Sequence, residues 1–168
     1  NKLDREGKDA FDLLDEIEQK LDVKVRPLSW PIGMGQRFKG VYNLYEKKLV
    51  LFNPHGKQDE EEVIIFEDLA NPDLEKHIGE SAARELREEV EVVETVYHDF
   101  KKEDYLSGKI CPVFFGSAVN NFGVKELLDC FVEIAPTPLP RFTEERLVKP
   151  EEDKFSGFVF KIFANMDP

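Results

Sequence analysis

The chain has 168 residues, 41% of them hydrophobic and 35% charged, and 23 Lys and Arg against 35 Asp and Glu give a net charge of −12. This acidic balance argues against a free-standing nucleic-acid binder and against free DNA as a partner, because phosphate contacts need clustered Lys and Arg. Apolar runs stay short of the ~20 residues of a membrane span, and no secretory signal is recognisable. Two cysteines, Cys111 and Cys130, make no disulfide framework. We therefore expect a cytoplasmic protein of mixed α/β class with no membrane partner.

The two ends of the sequence predict that it belongs to a longer polypeptide. It opens on Asn1-Lys2-Leu3-Asp4 rather than on Met, and it closes on Asn-Met-Asp-Pro at 165–168. Neither end resembles a natural terminus, so we expect a fragment.

The first third of the chain predicts a helix followed by short β segments. Apolar residues at helical spacing indicate a helix over 9–21 with Asp9 as its N-cap. A short apolar stretch at 23–27 indicates a strand. Residues 30–35 are predicted to form a loop because proline and glycine interrupt them.

The middle of the chain predicts a β-hairpin and then a long helix. Alternating segments at 38–45 and 48–52 form the hairpin, 53–56 a turn, and 63–66 a further strand. Asn and Pro at 71–72 suit the start of a helix that extends to about residue 93. Its predicted apolar face comprises Leu74, Ile78, Ala82, Leu86, Val90 and Val93.

The last third predicts a buried strand at 110–115, a helix, and a stiff linker made by prolines at 136, 138 and 140. Alternation over 155–163 predicts the first strand of a further β domain. The helix between the strand and the linker is predicted to have one strongly apolar face, which comprises Val124, Leu127, Leu128, Phe131, Val132 and Ala135.

Common catalytic motifs are absent from the sequence. Gly35 and Gly40 have the glycine spacing of a phosphate-binding GxxxxGK[ST] loop, but Val41 stands where the lysine belongs. The acidic run at 59–62 reads as a solvated surface. We therefore predict no catalytic residue and no metal ligand in this chain. The histidines are isolated and lack metal-ligand spacing: His55, His77 and His98.

Two loops carry the strongest functional signal. Asn1-Lys2-Leu3-Asp4 stands directly before a predicted helix, and Gly-Ser-Ala at 116–118 follows a predicted buried strand. In an α/β domain both loops lie at the carboxyl ends of strands, where ligands bind. An N-K-x-D sequence together with a strand-borne Ser-Ala is typical of the guanine-reading pair of GTPases.

The chemistry of guanine explains why these residue types suit the task. An ionised Asp4 can accept paired hydrogen bonds from the ring N–H and the exocyclic amine of guanine, and such charge-assisted pairs are strong. The Ala118 N–H can donate to the guanine carbonyl. Adenine lacks these groups on that edge, and a site built on such bonds can reject it by roughly 10⁴-fold.

The neighbouring residues have supporting roles in the same hypothesis. The Asn1 amide can bridge the other edge of the purine and tie the two loops together. The Lys2 stem can lie along the base plane, while Leu3 points into the core. Ser117 can brace the turn, and its small size lets the backbone approach the base.

Four segments of the chain resemble translational GTPases of the elongation factor G group, and within it most closely the bacterial release factor 3 branch. The closing segment, EDKFSGFVFKIFANMDP, favours that branch, and residues 46–105 match only loosely. The other similar segments are NKLDREGKDAFDLLDEIE, SWPIGMGQRFKGVYNLY and PVFFGSAVNNFGVKELLDCFVEIAPTPLPR.

The resemblance implies a particular fold and domain order. Asn1 and Ser117 lie 116 positions apart, whereas one crossover unit needs only about 30 residues. We expect the C-terminal half of a P-loop GTPase (G) domain with an α+β inserted subdomain, plus the first strand of a β-barrel domain. The expected boundaries are 1–27 for the first G-domain part, 28–109 for the G-prime-like insert, 110–140 for the end of the G domain, and 141–168 for the linker and the start of domain 2.

The same resemblance implies a ribosome-dependent GTPase of translation termination that promotes the release and recycling of class I release factors. The full-length protein would use GTP and GDP with Mg²⁺. This chain would supply guanine recognition alone, and by itself it is expected to be inactive and to bind nucleotide weakly. The guanine-binding residues that can be assigned are Asn1, Lys2, Leu3, Asp4, Ser117 and Ala118.

Two alternatives stay open at this point. The chain could come from elongation factor G or from a tetracycline-resistance ribosomal protection protein. It could also be an interaction module that binds no nucleotide, in which the Asn-Lys-Leu-Asp turn only starts a helix. The acidic residues at 59–62 and 80–91 further suggest contact with a basic ribosomal protein.

Overall fold

A computed structural model describes residues 1–52 and 62–162 of the chain. It divides into two compact units, Asn1–Ile134 and Ala135–Pro168. The turn predicted at 53–56, which contains His55, and the acidic residues 59–61 lie outside the described residues.

The first unit contains α1 (Ala10–Leu21), β1 (Lys24–Pro27), β2 (Ser29–Ile32), β3 (Gly40–Asn43), β4 (Lys48–Leu51), β5 (Glu62–Ile65), α2 (Asp73–Ile78), α3 (Glu80–Val96), α4 (Lys102–Leu106), β6 (Ile110–Val113) and α5 (Val124–Ile134).

The first helix forms as its sequence predicts. The Asp9 carboxylate accepts a hydrogen bond from the Phe11 N–H at 2.8 Å, so it satisfies one of the free amides at the start of α1. Ala10 and Leu14 are buried on one face. The helix ends where Asp22 adopts a left-handed conformation with φ +51°, and the predicted helix and its cap are therefore confirmed.

An antiparallel sheet in the order β2-β3-β4-β5 forms the centre of the first unit. The predicted hairpin is β3 and β4, with Val41 opposite Val50. Trp30 and Tyr42 pair across β2 and β3, and both are almost fully buried. The loop predicted at 30–35 is wrong for its first part, because 29–32 is a strand. Proline is tolerated at position 31 because β2 is an edge strand of this sheet, where the missing N–H need not remove a hydrogen bond between strands.

The long helix predicted from 71 to 93 is two helices, α2 and α3. The chain breaks between them at Gly79, which has φ +82° and cannot continue a right-handed helix. Asn71 stabilises the first turn, since its side-chain oxygen accepts the Asp73 N–H at 2.9 Å. The buried face of α3 follows the predicted spacing, but Ala83 rather than Ala82 is fully buried: Ala83, Leu86, Val90 and Val93.

A second, parallel pair of strands joins β1 to β6, with Val25 opposite Cys111. The strand predicted at 110–115 is therefore present but shorter, and most of it is only half-buried. The helix α5 buries Cys130 and Ile134, which pack with Leu28. The predicted apolar face of α5 is largely uncovered, because four of its members are exposed: Leu127, Leu128, Phe131 and Val132.

The second unit contains one small hairpin, β7 (Arg141–Phe142) with β8 (Leu147–Val148). The strand predicted over 155–163 is wrong for residues 155–162, which carry no strand. A strand needs a hydrogen-bonded neighbour, and none pairs with these residues in the described part of this unit. Among the residues that the structure describes, no helix is long and apolar enough to cross a membrane.

Candidate functional site

The two loops singled out in the sequence meet in the first unit. The Asn1 side-chain oxygen accepts a hydrogen bond from the Ala118 N–H at 3.0 Å. The Ser117 hydroxyl donates to the Asp4 carboxylate at 2.5 Å. These partners lie 117 and 113 positions apart in the sequence. Two independent bonds therefore hold the N-terminal loop against the loop that follows β6.

The Asp4 carboxylate is ionised and oriented. The hydrogen bond from Ser117 is the main cause that holds the pKa of Asp4 below its ordinary value. Arg5 adds a weaker effect, with its Nε 3.6 Å from Oδ2. An ionised carboxylate has about four acceptor positions, so Asp4 retains the capacity to accept further hydrogen bonds.

Ser117 is the buried centre of the contact. Its hydroxyl donates to Asp4 and accepts from the Asn120 side-chain amide at 2.8 Å. Its backbone pairs with Phe122 in both directions, at 2.9 and 3.0 Å. Asn120 was missed by the sequence analysis, although a polar amide three residues after the serine was a signal that could have identified it.

Two glycines allow the second loop to close so tightly. A Cβ at Gly116 would lie 2.5 Å from the Phe122 carbonyl oxygen, and one at Gly123 would lie 2.6 Å from that of Phe115. The two stems of the loop therefore approach backbone to backbone, and any larger residue would push them apart. This closure fixes where Ser117 points.

The remaining predicted residues occupy different environments. Leu3 is buried, its N–H donates to the Gly116 carbonyl at 3.3 Å, and its own carbonyl accepts from the Gly35 N–H at 2.8 Å. Lys2 is exposed and adopts a left-handed backbone with φ +69°. Its N–H donates to the Asn1 side chain at 2.7 Å, and Ala118 is exposed beside it. All six predicted residues thus belong to one contiguous group.

A cavity of about 270 Å³ opens beside this group. Aromatic and aliphatic side chains dominate its wall, and Asn1, Ser117 and Ala118 contribute the polar edge. Concave sites that combine apolar walls with a few directed polar groups are where small ligands bind. The other lining residues are Phe114, Phe115, Gly116, Phe122, Gly123, Val124 and Leu127.

Other reactive side chains lie outside the group. Burial is the main cause that raises the pKa of the Cys130 thiol, which disfavours the nucleophilic thiolate. His77 packs its ring edge-on against Phe66, with centroids 5.9 Å apart. In ranges 1–52 and 62–162, no three His, Cys, Asp or Glu side chains are grouped to hold a metal ion.

A comparison with models of known protein families finds no match for the chain. Among solved structures, the chain is similar to a crystal structure of a protein from Thermus thermophilus, with 20% sequence identity and a TM-score of 0.48. The match covers 79% of this chain and 21% of the Thermus chain, so the present chain spans about a fifth of that protein. The observed architecture itself is mixed α/β, with a parallel and an antiparallel sheet.

Proposed function

We propose that this chain is the guanine-reading part of a ribosome-dependent GTPase of translation termination. In this proposal the longer protein is of the release factor 3 type, resides in the cytoplasm, and promotes the release and recycling of class I release factors from the ribosome. The residues that recognise the base are Asn1, Lys2, Leu3, Asp4, Ser117 and Ala118.

The observation that carries the proposal is the double link between the loops, Ser117 to Asp4 and Ala118 to Asn1. Reading one edge of a planar base requires a carboxylate and a backbone N–H held at a fixed separation before the ligand arrives. The Ala118 N–H donates to the Asn1 side-chain oxygen, so the guanine carbonyl would replace Asn1 as its acceptor. Here the carboxylate is ionised and held by a buried hydroxyl. A fixed anionic acceptor favours a base edge with two adjacent donors, and guanine has that edge.

In this proposal the present chain binds only the base, and other segments of the longer protein bind the phosphates. The sequence contains no GxxxxGK[ST] loop, so in a GTPase the phosphates and Mg²⁺ would be held by other segments. Phosphoryl transfer depends on those charged contacts. The isolated chain is therefore expected to hydrolyse no GTP and to bind GTP or GDP weakly.

Replacing Asp4 by Asn in the full-length protein tests the proposal. The carboxamide presents a donor and an acceptor, which suits the additional carbonyl of xanthine in place of the amine of guanine. We expect the ratio of guanosine to xanthosine diphosphate affinity to fall by about 100-fold or more, because a hydrogen-bonding site discriminates strongly. The matched control is Asp12→Asn, which removes an exposed carboxylate from α1 and should leave that ratio unchanged. An unchanged ratio in the Asp4→Asn protein would contradict the proposal.

A second candidate function is an interaction module, and the exposed face of α5 favours it. Phe131 and Val132 are 55% and 80% exposed, and clustered exposed apolar side chains mark contact surfaces. If the full-length protein binds no guanine nucleotide in the titration above, this candidate replaces the first. Elongation factor G and ribosomal protection proteins would instead retain nucleotide binding and differ in the domains that follow.

A further inference from the structure

We propose that Gly35 is a positioning residue for the guanine-reading loop, and that through it the central antiparallel sheet controls how tightly the base is held. The inference rests on the proposed function and adds a residue and a regulatory element to that site.

The first step is a backbone clamp on Leu3. The Gly35 N–H donates to the Leu3 carbonyl at 2.8 Å, while the Leu3 N–H donates to the Gly116 carbonyl at 3.3 Å. The Leu3 side chain is 6% exposed, so burial in the hydrophobic core also holds this residue in place. Because Leu3 directly precedes Asp4, fixing both of its peptide groups fixes the direction in which the Asp4 carboxylate leaves the backbone.

The second step is that a side chain at position 35 would strain the backbone there. Gly35 has φ +58°, a conformation that costs other residues free energy. A Cβ there would lie 2.4 Å from Oε1 of Glu6, which follows Asp4 by two residues. The exposed Glu6 side chain can turn aside, so the lasting cost of a side chain at position 35 comes from the left-handed backbone, which would relax by moving the Gly35 N–H that binds the Leu3 carbonyl.

The third step is a separate contact between the same region and the second loop. The Phe38 ring packs edge-on against Phe122 with centroids 5.4 Å apart, and Phe52 packs against Phe122 at the same distance. Phe122 is the backbone partner of Ser117. The region after β2 thus touches both halves of the candidate site, Leu3 on one side and the Ser117 loop on the other.

These contacts make the sheet and the base site one coupled system. The Lys39 N–H donates to the Ile32 carbonyl at 2.9 Å, which ties the far end of the Gly35 segment back to β2. A partner that shifts this segment would change base affinity, and by reciprocity the bound base would change the affinity for that partner.

The test compares guanosine and inosine diphosphates in the full-length protein, because inosine lacks the exocyclic amine that Asp4 would read. For Gly35→Ala we expect affinity for guanosine diphosphate to fall about tenfold and its advantage over inosine diphosphate to shrink several-fold, since small displacements of positioned groups are costly. A general loss of folded protein would lower both affinities equally and leave the ratio unchanged. The matched control is Gly108→Ala, also a left-handed glycine with φ +75°, where an added Cβ meets open space, and it should preserve the ratio.

A rescue variant sharpens the result. Asn tolerates the left-handed conformation, and Glu6→Ala removes the atoms that a Cβ at 35 would meet, so Gly35→Asn combined with Glu6→Ala should recover most of the ratio. Should Gly35→Ala fail to fold, Phe38→Leu removes the ring contact with Phe122 and should still lower the ratio. A folded variant of either kind with an unchanged ratio overturns the inference. Equal affinity of the unaltered protein for both nucleotides would instead overturn the proposed function.

Discussion

Two helices of the first unit, α3 and α5, have equally clear apolar stripes in sequence and opposite fates in the fold. The α3 stripe is buried, with Leu86 and Val93 at 1% and 0% exposure. The α5 stripe is open, with Phe131 at 55% and Val132 at 80%. The four-stranded sheet packs against α3, whereas Cys130 and Ile134 of α5 form a small separate cluster with Leu28.

The difference shows what an amphipathic pattern specifies. Helical spacing decides which side chains share a face, but the neighbouring layer decides whether that face is buried. The antiparallel sheet and α3 pack against each other and form a closed hydrophobic core around Trp30 and Tyr42. The small cluster around Leu28 provides no comparable surface for α5.

The difference in burial between α3 and α5 is tested by truncating one apolar residue of each helix in the 168-residue chain. Leu86→Ala should lower the free energy of unfolding by about 3 kcal/mol, because it leaves a cavity in a closed core. Phe131→Ala should change it by less than about 0.5 kcal/mol, because an exposed ring loses little. Urea denaturation measures both. Equal losses would mean that α5 is covered as well as α3.

A second prediction concerns how the parallel pair is joined to α3. Arg26 on β1 is buried and donates to the carbonyls of Val93 at 3.4 Å and Tyr97 at 3.3 Å, and it pairs with Glu94 at 3.0 Å. Arg26→Met keeps the volume but removes the donor to the Tyr97 carbonyl and the Glu94 carboxylate, which should cost about 1–3 kcal/mol of unfolding free energy. The Val93 carbonyl still accepts the Tyr97 N–H. Glu94→Gln is the control: it removes the charge, keeps an acceptor, and should cost less. If Arg26→Met leaves the free energy of unfolding unchanged, the contact between Arg26 and α3 does not contribute to stability.

A third prediction, with a smaller loss than that of Arg26→Met, concerns the contact between the hairpin region and α5. The Tyr45 hydroxyl donates to Glu133 at 2.7 Å, and this bond is the main cause that raises the pKa of Tyr45 to about 12. Tyr45→Phe should cost roughly 0.5–1 kcal/mol at neutral pH.

The pH dependence of this bond has a defined sign. A folded-state pKa above the ordinary value of 10.0 means that its stabilisation is complete below pH 10 and is lost as the pH rises toward 12. Unfolding curves of the two proteins should therefore converge over that window. A constant difference across it would contradict the assignment.

Local sequence signals predicted much of the first unit and the composition of the candidate site. The helix cap at Asp9, the hairpin and the buried face of α3 follow from residue type and spacing alone. The meeting of Asp4 with Ser117 could be anticipated because both loops were expected at the carboxyl ends of strands.

Some of the errors depend on what lies beside an element, whereas the predicted 71–93 helix breaks at Gly79, a residue visible in the sequence. Pro31 is compatible with a strand at the end of a sheet, and residues 155–162 form no strand without a partner. Gly35 stands out in the sequence only as part of a glycine motif, and its contact with Leu3 arises from a distant part of the chain. Single residues reveal such contacts only when the neighbouring element is known.

In the proposed function, a carboxylate and an amide from two distant loops read the edge of guanine. Titrating the full-length protein with guanosine, inosine and adenosine diphosphates tests it most directly. We expect the tightest binding for guanosine diphosphate, binding weaker by about tenfold or more for inosine diphosphate, and roughly 10⁴-fold weaker binding for adenosine diphosphate. Equal affinity for all three, or tightest binding of adenosine diphosphate, would contradict it.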